Sequence, residues 1–296
     1  MAFKHEHKIV DTQCLQDTQR KLASFEDDIL PYLPSKDAIL VRAKQRQLKK
    51  RALTAAVLSI VAIGMAIFYA NPVYQQLSVQ TVKGGQKIWT LHDGSKIHLN
   101  TETKIHVLQR LRSQEILLQQ GEASFQVNHS KYKFFQYFNR TFKVIAGEME
   151  IVDIGTVFHV LKHNTTDATV AVETGEIAVK IGGSSAVMLH LIQGQSIRNH
   201  QQYLGKVSSV NLHEIKAWQS GEIVFNQMPL IKAIENFQRY ADFSVQIENS
   251  ELQHLQITGQ FKITNYQKFM QILPILTAVS VEKISDKKWI IRKNNS

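Results

Sequence analysis

Leu91-His92-Asp93-Gly94-Ser95-Lys96-Ile97-His98-Leu99-Asn100 places an Asp-Gly pair between the apolar Ile88, Trp89 and Leu91 on one side and the alternating Ile97 and Leu99 on the other. Asp-Gly adopts the positive backbone torsions that a tight hairpin turn demands, and alternation at period two marks a strand with one buried face. The stretch predicts a β-hairpin. The chain beyond it continues in the same way: Ile116–Leu118, Ala123–Val127, Phe142–Ile145, Val157–Leu161, Ala168–Val172, Glu176–Ile181 and Val187–Ile192 are punctuated by Gly121, Gly147, Gly155, Gly175, Gly182-Gly183 and Gly194. Many short strands at this spacing imply an all-β sandwich, barrel or solenoid-like stack, and spacing leaves the strand order open.

Toward the N-terminus the character changes. Arg42, Lys44, Arg46, Lys49, Lys50 and Arg51 stand together with no acidic residue between them, and Ala52–Ala70 then carries no charged side chain. At about 1.5 Å of rise per residue that run is long enough to cross a hydrocarbon core of about 30 Å. The first basic residue on its far side is Lys83, so the Lys/Arg bias places the N-terminus in the cytoplasm and the chain beyond Asn71 outside it. Tyr69 and Tyr74 suit the outer interface. The run lies far from the N-terminus and lacks a small-x-small cleavage site, which makes it an uncleaved signal anchor rather than a signal peptide. The formal charge of +10 is partly this basic run, whose place beside the apolar span reads as topology determination; no direct nucleic-acid partner is expected.

Before the span, Leu15, Leu22, Phe25, Ile29 and Leu30 form the apolar side of an amphipathic helix interrupted at Pro31 and Pro34, and Ser35 is a plausible N-cap for a second helix running into the membrane. Beyond Lys206 a polar connector with a short helix, Leu212–Trp218, leads to a different mixture of elements. Glu222–Phe225 reads as a strand, Leu230, Ile231, Ile234, Phe237 and Tyr240 as a helical stripe after Pro229, and Ser244–Ile247 and Leu255–Ile263 as strands. A second helix over Tyr266–Thr277, with Pro274 inside it, and strands at Val279–Ile284 and Trp289–Ile291 complete a βαβ-βαββ module.

Chemistry is sparse. The lone Cys14 excludes an intramolecular disulfide, and His5, His7 and Cys14 match no standard zinc spacing. No phosphate-binding loop or nucleophile elbow is visible, so neither a metabolic enzyme nor a cofactor is expected.

The residues resemble the FecR-type anti-sigma regulators of cell-surface signalling. The resemblance is carried, in the family's order, by Leu91–Asn100, Gly121-Glu122-Ala123-Ser124-Phe125-Gln126-Val127, Gly155-Thr156-Val157-Phe158-His159-Val160, Val172-Glu173-Thr174-Gly175-Glu176-Ile177-Ala178-Val179 and Gly194-Gln195. The part from Trp218 onward is similar to the STN domain that closes many such regulators. The resemblance implies an inner-membrane, single-pass relay between the signalling domain of an outer-membrane TonB-dependent receptor, commonly one for ferric siderophores, and a cytoplasmic extracytoplasmic-function sigma factor. Anti-sigma and pro-sigma action both remain open, and intramembrane or periplasmic proteases are further implied partners. Leu22 and Phe25 are the candidate sigma contacts. The head departs from the family in being short and free of Trp, which keeps open a membrane-anchored periplasmic binding or assembly module without a sigma partner.

Some members of the family are cut at a Gly-Thr bond, which marks Gly155-Thr156 as a candidate self-cleavage site where the hydroxyl attacks the preceding carbonyl; a bulge or tight turn followed by a strand is the alternative. The expected organisation is a cytoplasmic helical head over 1–51, a transmembrane helix over 52–70, a linker over 71–81, a β-rich FecR-like periplasmic domain over 82–205, a connector over 206–217 and an α+β STN-like domain over 218–296.

Overall fold

A computed structural model of the chain describes residues 12–29, 32, 34–128, 141–183 and 188–294. It divides into two units, residues 1–69 and 70–296. His5, His7 and Val187 lie outside the described residues, and so do Leu30 and Pro31.

The first unit is helical. α1 spans Thr12–Ile29 and α2 spans Lys36–Ala70, so the basic run and the apolar run form one uninterrupted helix. Ser35 caps it: its Oγ accepts the Ala38 N–H at 3.2 Å, and its carbonyl accepts that of Ile39 at 3.0 Å. Inside the apolar run, the Thr54 hydroxyl donates to the Lys50 and Arg51 carbonyls and the Ser59 hydroxyl to Ala55, which removes their polarity from an otherwise apolar surface. No residue of α2 is buried. Among the described residues it is the one helix long and apolar enough to cross a membrane.

The second unit begins with strands. β1 (Val73–Gln80) occupies the stretch expected as a linker and pairs antiparallel with β4 (Lys104–Arg110). Its Val73, Leu77 and Val79 alternate with more exposed neighbours, and Leu77 and Val79 pack against the β core. β2 (Lys87–Thr90) and β3 (Lys96–Leu99) form the hairpin that Asp93-Gly94 turns, with Gly94 at φ +83°. The decisive strand is β5 (Ser113–Gln126). Its first half pairs with β4 and, in parallel, with β6 (Thr141–Ala146); its second half pairs with β3 and with β8 (Val157–Lys162). Gly121 (φ +87°) sits at the changeover, where a Cβ would collide with Thr103. A strand that switches sheets at a corner lets two layers close on one core.

The first layer continues from β6 through β7 (Met149–Asp153) and β10 (Glu176–Ile181) to β11 (Leu189–Ile192); the second continues from β8 through β9 (Ala168–Thr174) to β12 (Gln195–His200). β13 (Tyr203–Leu204) and β14 (Ser208–Ser209) flank β12. Ile105, Ile116 and Ile151 from one layer and Ile97, Phe125 and Phe158 from the other belong to a single buried cluster. Phe125 and Phe158 stack at 5.1 Å.

A short helix α3 (Leu212–Lys216) and a 3₁₀ turn (Ala217–Ser220) lead to the C-terminal module. There β15 (Glu222–Pro229), helix α4 (Leu230–Gln238) and β16 (Ser244–Ile247) are followed by β17 (Gln256–Lys262), helix α5 (Tyr266–Leu276), β18 (Val279–Ser285) and β19 (Lys288–Lys293). β15 pairs with β17, while β16, β19 and β18 form a separate three-stranded sheet. Phe225, Phe237 and Phe269 fill its core, with Phe237 and Phe269 centred 4.9 Å apart. Pro274 stands in the last turn of α5, close to where the helix ends.

Candidate functional site

Of the places in the second unit that gather polar groups in or beside a core, two bear on the residues singled out in the sequence. The first lies where the β domain meets the C-terminal module. Asn100, the last residue of the hairpin motif, is fully buried, and Glu122 in β5 is 8% exposed. Both are engaged by the end of α4: the Asn100 amide reaches Glu122 Oε2 and the Tyr240 hydroxyl, each at 2.8 Å, and the Arg239 guanidinium donates to the same Glu122 oxygen at 2.5 Å. The Thr101 hydroxyl donates to the Arg239 carbonyl at 2.9 Å. Burial pushes the Tyr240 phenol up to about 12, with Glu122 adding to the effect and Arg239 and Asn100 opposing it. Burial works against the charged form of Arg239, yet the Glu122 carboxylate holds its pKa above the ordinary value. This is a charge-assisted latch made of groups far apart in sequence.

Secondary fastenings surround it. Lys83 pairs with Asp242 at 2.6 Å, Gln86 donates to the Trp218 carbonyl at 2.7 Å, and the His98 and Trp218 rings are 4.8 Å apart. Beneath them His159, almost fully buried, meets Glu173 at 2.9 Å, and Glu173 also accepts from Lys216 at 3.3 Å. Burial pushes the Glu173 carboxyl up, but these two partners leave it below the usual carboxylate range. Desolvation lowers the His98 pKa, with a further contribution from His159. A cavity of about 260 Å³ opens beside the latch, lined by Glu122, His159, Trp218, Phe225, Arg239 and Tyr240 among others.

The second place is the bend after β7. Asp153 accepts the Gly155 N–H at 3.2 Å through one oxygen and the Thr156 hydroxyl through the other. Thr156 is buried, and Gly155 sits at φ +124°. The Gly155 carbonyl faces the backbone of Gly175, where a Cβ would overlap it. A hydroxyl already donating to a carboxylate is placed for deprotonation, and the same bonds also suffice to fix a turn.

The other residues singled out in the sequence lie elsewhere. Leu22 and Phe25 are on α1 and more than half exposed, alongside Leu15. Arg42, Lys44, Arg46, Lys49, Lys50 and Arg51 all project from α2 into solvent. Cys14 is on α1. In the sequence Asn100 and Glu122 stand only as motif letters, and Tyr240 reads as core. The available signal is a buried asparagine and a buried acid inside strand motifs, each of which calls for a partner.

Known proteins resemble this architecture. The family model for FecR protein matches residues 78–178, and that for the FecR C-terminal region matches 222–291. Two crystal structures of a candidate anti-sigma factor from Parabacteroides distasonis, at 2.50 and 1.65 Å, share the fold with a TM-score of 0.59 and 19% identity each. They cover 74% and 73% of this chain and 99% of their own. No curated protein matches the chain in sequence. With FecR models matching both the β domain and the C-terminal module, together more than half of the 296 residues, the chain belongs to the FecR family.

Proposed function

We propose that this chain is a single-pass inner-membrane regulator with a cytoplasmic N-terminus, which relays the state of an outer-membrane TonB-dependent receptor to an extracytoplasmic-function sigma factor. The observation that carries the reading is the order of parts: a helix with an exposed apolar stripe, a basic run, an apolar run able to cross a bilayer, then the two FecR regions. Leu22 and Phe25 are apolar and solvent-facing, which suits a helix that binds a partner in the cytoplasm. On the far side, β16 and β18 are sheet edges able to accept a strand from a receptor signalling domain. The latch between the β domain and the C-terminal module would then be the part that a docked receptor loads.

The test is transcriptional. Deleting the gene should alter expression of one sigma-dependent set of genes, and the wild-type chain should restore it while Leu22→Asp/Phe25→Asp should not. An unchanged transcript profile would favour a membrane-anchored periplasmic binding or assembly module without a sigma partner.

The hydrogen bond from Thr156 to Asp153 favours self-processing as a second activity. In that reaction Thr156 Oγ bonds to the Gly155 carbonyl carbon as its proton passes to Asp153, and the Gly155–Thr156 C–N bond breaks as Asp153 returns that proton to the departing nitrogen, leaving an ester and a free Thr156 amine. Water then hydrolyses the ester. The two pieces would stay paired through β7 with β10 and through β5 with β8, so the cut shows only under denaturing conditions. One intact band for both wild type and Thr156→Ala on a denaturing gel would sink this reading.

A further inference from the structure

The strand register brings a set of exposed apolar residues to one end of the first β layer. β1 starts at that end, and so do β5, β6 and β10, while β4, β7 and β11 finish there. The connections at this end present Leu111 (44% exposed), Ile154 (49%) and Ile192 (55%), drawn from three separate strand ends. Adjacent strands lie about 4.8 Å apart, which spreads the three over roughly 25 Å. Isolated exposed apolar residues mean little, but three on one rim form a face.

The chain itself says what this face meets. α2 ends at Ala70, and Asn71 immediately after it is tied to the same rim. The Asn71 amide donates to Ser113 Oγ at 3.1 Å, its side-chain oxygen accepts the Arg112 N–H at 2.8 Å, and its carbonyl accepts from the Arg110 guanidinium at 3.3 Å. The β4–β5 turn, with Leu111 at its tip, is therefore held within hydrogen-bonding distance of the residue next after the apolar run. If α2 spans the bilayer, no tether separates the rim from the headgroups.

We infer that this rim of the β domain rests on the outer surface of the membrane, with Leu111, Ile154 and Ile192 set into the lipid interface. The inference rests on the single-pass reading proposed for the chain. Apolar tips at such a surface bury themselves about 5–10 Å deep, at the boundary between headgroups and acyl chains. Among the described acidic groups at this end, Glu115 pairs with Arg110, Asp153 accepts from Thr156 and Glu176 is hydrogen-bonded to His190, which leaves the three apolar tips to make the contact. It would fix the β domain against the bilayer and leave the C-terminal module as the part presented to a partner.

The test uses the full-length chain with Cys14→Ser and single cysteines at Leu111, Ile154, Ile192, Ile60, Lys104 or Leu189, each carrying a bimane label. Leu189 marks the opposite end of β11 from Ile192, and Lys104 the opposite end of β4 from the Leu111 turn. The protein is reconstituted into phosphatidylethanolamine/phosphatidylglycerol vesicles with and without brominated acyl chains. Labels at Ile60, Leu111, Ile154 and Ile192 should lose most of their emission to bromine while those at Lys104 and Leu189 keep it. Loss at Ile60 with the three rim positions behaving like Lys104 would overturn the inference and leave the span intact. Retention at Ile60 would remove the span and the inference with it.

Discussion

Replacing Arg239 with Met keeps most of the apolar stem and removes the charge that Glu122 faces across the latch. The Glu122 side chain is 11% exposed and that of Arg239 is 30% exposed, so the pair is mostly but not wholly withdrawn from water. Breaking a buried pair by removing one partner costs about 3–5 kcal/mol, because the remaining charge is stranded. Partial exposure of the guanidinium reduces this, and the Asn100 amide still donates to Glu122, which brings the expected loss to about 2 kcal/mol. In a domain of this size that is about 6 °C in Tm. Differential scanning fluorimetry on the purified chain reads it directly. Glu122→Gln should recover most of the loss in the Arg239→Met background, since a neutral amide can remain buried with Asn100 as its partner. A double-mutant cycle with less than about 0.5 kcal/mol of coupling would refute the latch, as would an Arg239→Met variant as stable as wild type.

Gly175→Ala should destabilise strongly, because Gly175 combines φ +81° with a Cβ position that overlaps the Gly155 carbonyl; Gly194→Ala, at φ +80° with open space around it, should cost only about 1 kcal/mol, and equal Tm losses in the two would contradict the packing at the Gly155 bend. The Tyr240 phenol, held up to about 12 by burial, contributes stability that is complete below about pH 10 and is lost as pH rises through about 12, where its ionisation should appear late in a titration followed at the tyrosinate absorbance band and vanish in Tyr240→Phe. Asn71→Ala removes the side-chain bonds to Ser113 and Arg112 and should cost about 1 kcal/mol, checked by faster hydrogen exchange in the β4–β5 turn.

What the sequence discloses is set by how far each interaction reaches along the chain. The turn at Asp93-Gly94 is legible because the demand for positive φ is met within the turn itself. The long helix α2 is legible because charge and hydropathy change in blocks along it. β1 is harder to see, since Gln75, Gln76 and Gln80 dilute its alternation and its ladder with β4 is made some thirty residues away. The parallel pairing of β5 with β6 leaves no local trace, nor does the switch of β5 between layers beyond the presence of Gly121. The latch is least legible of all. Asn100 meets Tyr240 across a separation of 140 residues and Glu122 meets Arg239 across 117, so the motif letters reveal that something is held but not by what. At the Gly155-Thr156 bend the sequence supplies the candidate bond and the candidate nucleophile, while Asp153, two residues before the glycine, becomes visible as a hydrogen-bond acceptor only in the fold.

Affinity capture of the full-length chain from solubilised membranes of its native cells, followed by mass spectrometry, tests the proposed relay most directly. The relay predicts that an extracytoplasmic-function sigma factor co-purifies with the wild-type chain and is lost from Leu22→Asp/Phe25→Asp. Absence of any sigma factor from the wild-type capture, with the chain intact and membrane-borne, would contradict it.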